Sequence, residues 1–241
     1  PLATGLPQAH ISIRSAQMDT RAPGDINMTT NMPDDLLTGY HRFRANRYAR
    51  EVERYHMLAE GQSPKTMIIG CADSRVDPST IFSAGPGELF VVRNVAALVP
   101  PYGEATGYHG TSAALEFAIT VLGISNLVVM GHSSCGGVAA ALAARDAKPI
   151  GRYIGPWVAL LNETRDALLA ANPDASDEDL QNALERKAIE CSINNLMTFP
   201  FVSEAIAEGR VRMDGALFSI IAGELIWRDP DSGEFSRVSE S

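Results

Sequence analysis

Two short segments of the chain combine residue types that suit metal chemistry. The first is Cys71-Ala72-Asp73-Ser74-Arg75, and the second is His132-Ser133-Ser134-Cys135-Gly136-Gly137. Thiolate and imidazole are the ligands zinc prefers, at about 2.3 Å and about 2.0 Å respectively. Iron–sulfur clusters ordinarily take four cysteines, and this chain has three in all. Cys71, His132 and Cys135 together would leave the fourth position of a tetrahedral zinc open, as a catalytic site requires. The His-x-x-Cys spacing lets both ligands come from one tight turn. Gly136 and Gly137 are expected to let the backbone approach the metal closely. Each segment alone is a weak signal, because buried cysteine is common and an Asp–Arg pair is often structural. Jointly, at the ends of two strands of one sheet, they point to a metal centre. The other candidates have plainer readings. Cys191 falls on the apolar stripe of a long helix and reads as core packing. His10 and His56 read as surface residues, His41 sits among arginines, and His109 reads as a loop residue in Gly107-Tyr108-His109-Gly110.

The two segments must be brought together by the elements that carry them. Each follows a short apolar run bounded by turn signals: Thr66 to Ile69 before Cys71, and Asn126 to Met130 before His132. A third such run is Glu88 to Val92, and Val211 to Ile221 supplies one or two further strands. Helical periodicity appears between them. From Asp34, residues Leu36, Tyr40 and Phe43 share a face; the basic run Arg42, Arg44, Arg47 and Arg50 reads as a solvated surface. Thr111 to Leu122 is expected to be one helix capped by Thr111 or Ser112, with Leu115, Ile119 and Leu122 in a stripe. Further helices are expected over Val138 to Arg145 and Asp177 to Met197, the latter with Leu180, Leu184, Ala188 and Cys191 in register. Buried strands alternating with helices predict an α/β fold: a central, mostly parallel sheet flanked by helices. In such sheets ligands bind beyond the carboxyl ends of the strands. If the strands before Cys71 and His132 are neighbours, the three ligands converge.

Composition sets the wider limits. The chain has 241 residues, 45% hydrophobic and 20% charged, with a formal net charge of -9. That suits one substantial soluble domain. We expect it over residues 34–241, after a flexible or extended N-terminal arm over 1–33. The acidic balance disfavours nucleic acid and anionic membranes as partners. No apolar run approaches the ~20 residues a membrane span needs. Three cysteines make a poor disulfide framework, so a cytoplasmic setting is expected.

At these residues the chain resembles the β-class carbonic anhydrases, and the resemblance runs from about Leu36 to Phe235. It rests on Cys71-x-Asp73-Ser74-Arg75, on Gly87-Glu88-Leu89-Phe90-Val91-Val92-Arg93-Asn94, and on Gly131-His132-x-x-Cys135-Gly136-Gly137. The resemblance implies that Cys71, His132 and Cys135 bind Zn2+ and that Asp73 and Arg75 form a dyad beside the fourth position. It implies zinc-dependent, reversible hydration of carbon dioxide to bicarbonate and a proton, by attack of zinc-bound hydroxide. Two alternatives are hydrolysis of carbon disulfide or carbonyl sulfide on the same scaffold, and a non-catalytic, zinc-stabilised protein with Asp73 as permanent fourth ligand. The plant-like branch of the family further implies a substrate pocket from Gln62, Phe90, Val95, Phe117 and Gly136, with Phe117 standing where the plant enzymes often have Tyr. Some bacterial members use a Trp three residues before the first zinc cysteine in an inhibitory bicarbonate site. Ile68 stands there, so that site is expected to be absent or altered. The resemblance also implies four parallel strands with an antiparallel extension, and a homodimer or dimer-based higher oligomer wrapped by N-terminal helices.

Overall fold

The computed structural model describes residues 31–103, 109–146 and 150–239; His10 and nearly all of the expected N-terminal arm lie outside the described residues. The helices are α1 (Asp34–Phe43), α2 (Val52–Ala59), α3 (Pro78–Ile81), α4 (Gly110–Glu116), α5 (Gly136–Ala143), α6 (Ile154–Val158), α7 (Asn162–Ala171), α8 (Asp177–Leu196) and α9 (Pro200–Ala207). The strands are β1 (Thr66–Cys71), β2 (Leu89–Asn94), β3 (Asn126–His132), β4 (Arg212–Ser219), β5 (Glu224–Arg228) and β6 (Phe235–Arg237). The described residues fall into two compact units, one up to Glu51 and the other from Val52 onward. The first unit contributes α1 and a π-helical turn, Arg44–Tyr48. No helix among the described residues is long and apolar enough to cross a membrane.

The second unit is built on one sheet of order β2-β1-β3-β4-β5-β6. The first four strands are mutually parallel, and β5 and β6 extend the sheet antiparallel. This is the expected architecture. Side chains alternate across the pleat. Met67 and Ile69 of β1 and Leu127 and Val129 of β3 enter one buried cluster, which Leu196 and Val202 of α8 and α9 also join. Ile68, Val128, Met130 and Ala216 form the core of the opposite face.

Local chemistry fixes several element boundaries. Asp77 caps α3 by accepting the Thr80 N–H at 2.9 Å, with Pro78 in the first turn. Ser176 caps α8 by accepting the Asp179 N–H at 3.1 Å, and Asp177, Glu178 and Asp179 face the positive end of that helix. The strands before the two motifs run further than their apolar residues suggested, because the parallel ladder pairs backbone irrespective of side chain. They end on Cys71 and His132 themselves. The helix expected over Thr111 to Leu122 is α4 followed by a π-helical turn, Phe117–Val121. Neither Thr111 nor Ser112 caps it; His109 is the N-cap residue, and the Thr111 hydroxyl accepts from Asn94 Nδ2 at 3.3 Å.

Candidate metal centre

β1 and β3 are hydrogen-bonded neighbours, with Gly70 level with Met130. Cys71 and His132 therefore emerge side by side at the carboxyl end of the sheet, where a parallel α/β fold places its ligands. Cys135 reaches the same point through a tight turn. Ser134 makes that turn with φ at 56°, a left-handed conformation unusual for a residue with a side chain. The Ser133 N–H donates to the Phe218 carbonyl at 2.9 Å, and its Oγ accepts the Ile220 N–H at 2.9 Å, which ties the turn to the end of β4.

One ligand atom from each of Cys71, His132 and Cys135 lies within 4.8 Å of the others. The two sulfurs are 4.0 Å apart. Two thiolates at ~2.3 Å from a tetrahedral zinc would stand ~3.8 Å apart, so the observed spacing suits that ion. His132 Nδ1 lies 2.9 Å from the Ser133 carbonyl, which only accepts, so Nδ1 carries the hydrogen and Nε2 presents its lone pair. Nε2 is buried and has no hydrogen-bond partner. A buried nitrogen aimed at two sulfurs with nothing to bond is what a metal ligand looks like without its ion.

The electrostatics of the two sulfurs point the same way. The Cys71 thiol is held below its ordinary value, chiefly by the hydrogen bond from Cys135, while Cys135 is pushed far up by that contact and by burial. Two adjacent buried sulfurs cannot both ionise alone; a divalent cation removes the conflict. Burial works against a charged His132, but the Cys71 sulfur, the Ser133 carbonyl and Asp73 outweigh it and the value rises, so in the metal-free protein a proton competes with an ion for Nε2.

Asp73 stands beside the donor set, its Oδ2 3.9 Å from His132 Nε2. Arg75 grips both carboxylate oxygens, with Nε to Oδ1 at 3.0 Å and Nη2 to Oδ2 at 2.7 Å. The Arg75 backbone N–H adds a third bond to Oδ1 at 2.9 Å. The guanidinium thereby holds Asp73 well below the usual carboxylate range. Arg75 also donates to the Ser134 carbonyl at 3.2 Å, linking the two motifs.

The remaining predicted residues divide. Val95 directly follows β2 at the same end of the sheet, where its carbonyl accepts from Trp157 Nε1 at 2.8 Å. Gly136 opens α5, and a Cβ there would meet nothing within 4 Å. At Gly137 a Cβ would fall 2.7 Å from Val95 Cγ1 and 2.9 Å from the Ala96 Cβ. Among the protein's own atoms, close approach is required at Gly137, toward the Val95 loop. Phe90 is level with Met67, four residues or ~13 Å back along the strands from Cys71. The Phe117 ring lies 6.0 Å from that of Phe90. Gln62 precedes the amino end of β1 and is exposed. Within one chain, then, Gln62, Phe90 and Phe117 gather toward the far end of the sheet from the sulfurs. Ile68 is buried among Val128, Met130 and Ala216. Cys191 is half-buried at the edge of the cluster around the sulfurs rather than inside it, and His41, His56 and His109 are exposed.

Two residues escaped the sequence reading. Arg93 of β2 donates through Nε to the Cys71 carbonyl at 2.8 Å and through Nη2 to the Asp73 carbonyl at 2.5 Å, clamping the first motif. Glu185 of α8 accepts the Cys135 N–H at 2.9 Å. Arg93 lay inside a quoted motif with no role attached. Glu185 heads the otherwise apolar row Glu185, Ile189, Ile193, which marks a buried acid but not the amide it serves.

Comparison with known proteins gives one answer. A family model described as carbonic anhydrase matches residues 66–225. β-carbonic anhydrase 3 of Arabidopsis thaliana is 36% identical over 190 residues, covering 78% of this chain and 73% of the relative. The structure of the β-carbonic anhydrase CcaA superposes with a TM-score of 0.79 at 30% identity, covering 85% of this chain and 98% of that one. A structure reported for two tetrameric β-carbonic anhydrases of Sordaria macrospora gives a TM-score of 0.69 at 28% identity, covering 80% and 94%. A parallel sheet that ends in two cysteines and a histidine, matched over most of its length by these proteins, places this chain among the β-carbonic anhydrases.

Proposed function

We propose that the chain hydrates carbon dioxide reversibly to bicarbonate and a proton, with Cys71, His132 and Cys135 holding zinc. The observation that carries this is the orphaned His132 Nε2 facing two sulfurs 4.0 Å apart. Bound zinc supplies Lewis acidity, which lowers the pKa of water; carbonic anhydrases with three histidine ligands are the standard illustration of that effect. Here two thiolates offset the formal charge of the ion, so the surrounding residues matter more.

Asp73 is the acceptor that can orient a water at the open position. Its carboxylate stays ionised because Arg75 grips both oxygens, and the same grip keeps it off the donor set. That separates this site from a structural one with Asp73 as fourth ligand. Apolar side chains back the donors: Ala96, Leu98 and Val138 pack with Cys71 and Cys135, while Asp73 and Arg75 stand on the more exposed side of the site.

Gln62, Phe90 and Phe117 reach such a site only if a second copy supplies them. Phe117 is 41% exposed, and its apolar ring is free to cover a partner's metal site. We therefore read the working form as a homodimer or dimer-based oligomer, in keeping with the tetrameric Sordaria macrospora relatives. A cytoplasmic setting suits the three free thiols.

Stopped-flow hydration of carbon dioxide on protein of measured zinc content tests the reading. Activity should scale with bound zinc and vanish with a chelator. Zinc-replete protein without activity would end it.

A further inference from the structure

Glu185 is a buried carboxylate to which the reaction gives no part. It is 3% exposed. Its Oε1 accepts the Cys135 N–H at 2.9 Å and Gln181 Nε2 at 3.1 Å. Burying a carboxylate is costly unless it is well paired, and this one spends its pairing on the backbone of a sulfur donor.

The fold is arranged to let it reach. Glu185, Ile189 and Ile193 form one row along α8, spaced i, i+4, i+8. That row lies close on the sheet because Gly131 and Gly215 lack side chains. A Cβ at Gly131 would stand 3.0 Å from Ile189 Cδ1, and one at Gly215 would stand 2.9 Å from Ile189 Cγ2. The helix thus approaches β3 one residue before His132. One turn earlier on α8, Glu185 meets the start of α5, whose N-cap residue is Cys135.

We propose that Glu185 is a positioning residue for the metal: by accepting the Cys135 amide hydrogen it fixes that sulfur against Cys71 and His132. The inference rests on the reading of Cys135 as a zinc ligand. The agent is the hydrogen bond rather than the charge. Arg93 secures Cys71 through its carbonyl; Glu185 secures Cys135 through its amide, so both sulfurs are set by partners from outside their own motifs.

Three variants of the full chain separate the possibilities. Glu185→Gln keeps the acceptor and removes the charge. Glu185→Asp keeps the charge and withdraws the acceptor by one methylene. Glu185→Ala removes both. Zinc affinity is measured by competition with a chromophoric chelator, and coordination by the cobalt–thiolate charge-transfer band of the cobalt-substituted protein. Glu185→Gln should stay within about threefold of the parent with an unchanged band. Glu185→Asp and Glu185→Ala should bind zinc roughly 10- to 100-fold more weakly, the range for losing a partner behind a metal ligand, with an altered band. If the Ala variant does not fold, the Gln and Asp variants decide the matter. Parental zinc affinity in Glu185→Asp would overturn the proposal, as would Glu185→Gln as weak as Glu185→Ala. So would a weakened Glu185→Asp whose metal-free form unfolds to match, which would make the residue merely structural. A parent protein that binds no zinc would instead overturn the metal centre itself.

Discussion

Replacing Gly137 by Ala isolates the contact on which the second motif rests. The new methyl would lie 2.7 Å from Val95 Cγ1, 2.9 Å from the Ala96 Cβ and 3.3 Å from the Ala96 backbone nitrogen. None of these atoms is the far end of a flexible side chain, and Ala96 is already in the left-handed region with φ at 63°. Overpacking of this kind costs about 1–3 kcal/mol. Gly137 is the second residue of α5, so the change also removes a helix-disfavouring glycine, a gain of about 0.8–1 kcal/mol. The two terms leave a net loss of about 0–2 kcal/mol, and the rigid neighbours favour the upper end. At about 2–4 °C per kcal/mol for a domain of this size, the melting temperature should fall by up to roughly 8 °C. Gly136→Ala is the matched control: its methyl meets nothing within 4 Å, and loss of chain entropy should stabilise the fold by about 0.4–1 kcal/mol. Scanning calorimetry of the zinc-loaded proteins reads both. A Gly137→Ala protein that melts at or above the parent would refute the packing argument. Equal damage from the two variants would show that the glycines serve backbone approach to the metal after all.

Other outcomes follow from the same geometry. Arg75→Ala should cut carbon dioxide hydration roughly 10- to 100-fold at unchanged zinc content, since it releases Asp73; Arg75→Lys should recover only part, because an ammonium lacks the planar fork. The Asp73 carboxyl, followed by carbon NMR in metal-free protein, should titrate below its ordinary value near 3.8, and Arg75→Ala should bring it back up. Because the folded value is depressed, the pair's contribution to stability is complete above the ordinary value and is lost as pH falls through the folded one; an acid transition of Arg75→Ala at the parent's pH would contradict this. Trp157→Phe removes the donor to the part-buried Val95 carbonyl and should cost about 0.5–1.5 kcal/mol in calorimetry.

What could be read from the sequence was what is local. Cys71, His132 and Cys135 announce themselves by type, and their strands by apolar runs between turns. Their meeting needed only β1 and β3 to be neighbours, as they are. What stayed hidden depended on approach in three dimensions. Arg93 lies 22 residues from the carbonyl of Cys71 that it clamps, and Glu185 lies 50 from the amide it receives. Neither spacing leaves a periodic trace. The sequence did not show that Val95 and Ala96 also demand a glycine at 137, because that contact joins segments distant in the chain. The strands β5 and β6 were missed as individual segments: five and three residues long and only partly buried, they carry too little apolar pattern to stand out. Gln62, Phe90 and Phe117 are a different case, since their distance from the sulfurs along the sheet has meaning only once a second copy is considered.

The central claim concerns three side chains around one ion, and zinc X-ray absorption on the purified, zinc-loaded protein addresses it directly. The spectrum should contain two sulfurs at ~2.3 Å and an imidazole nitrogen at ~2.0 Å for each zinc, with one sulfur lost in Cys71→Ala and one in Cys135→Ala. A zinc environment without sulfur, or one that neither substitution changes, would contradict the account.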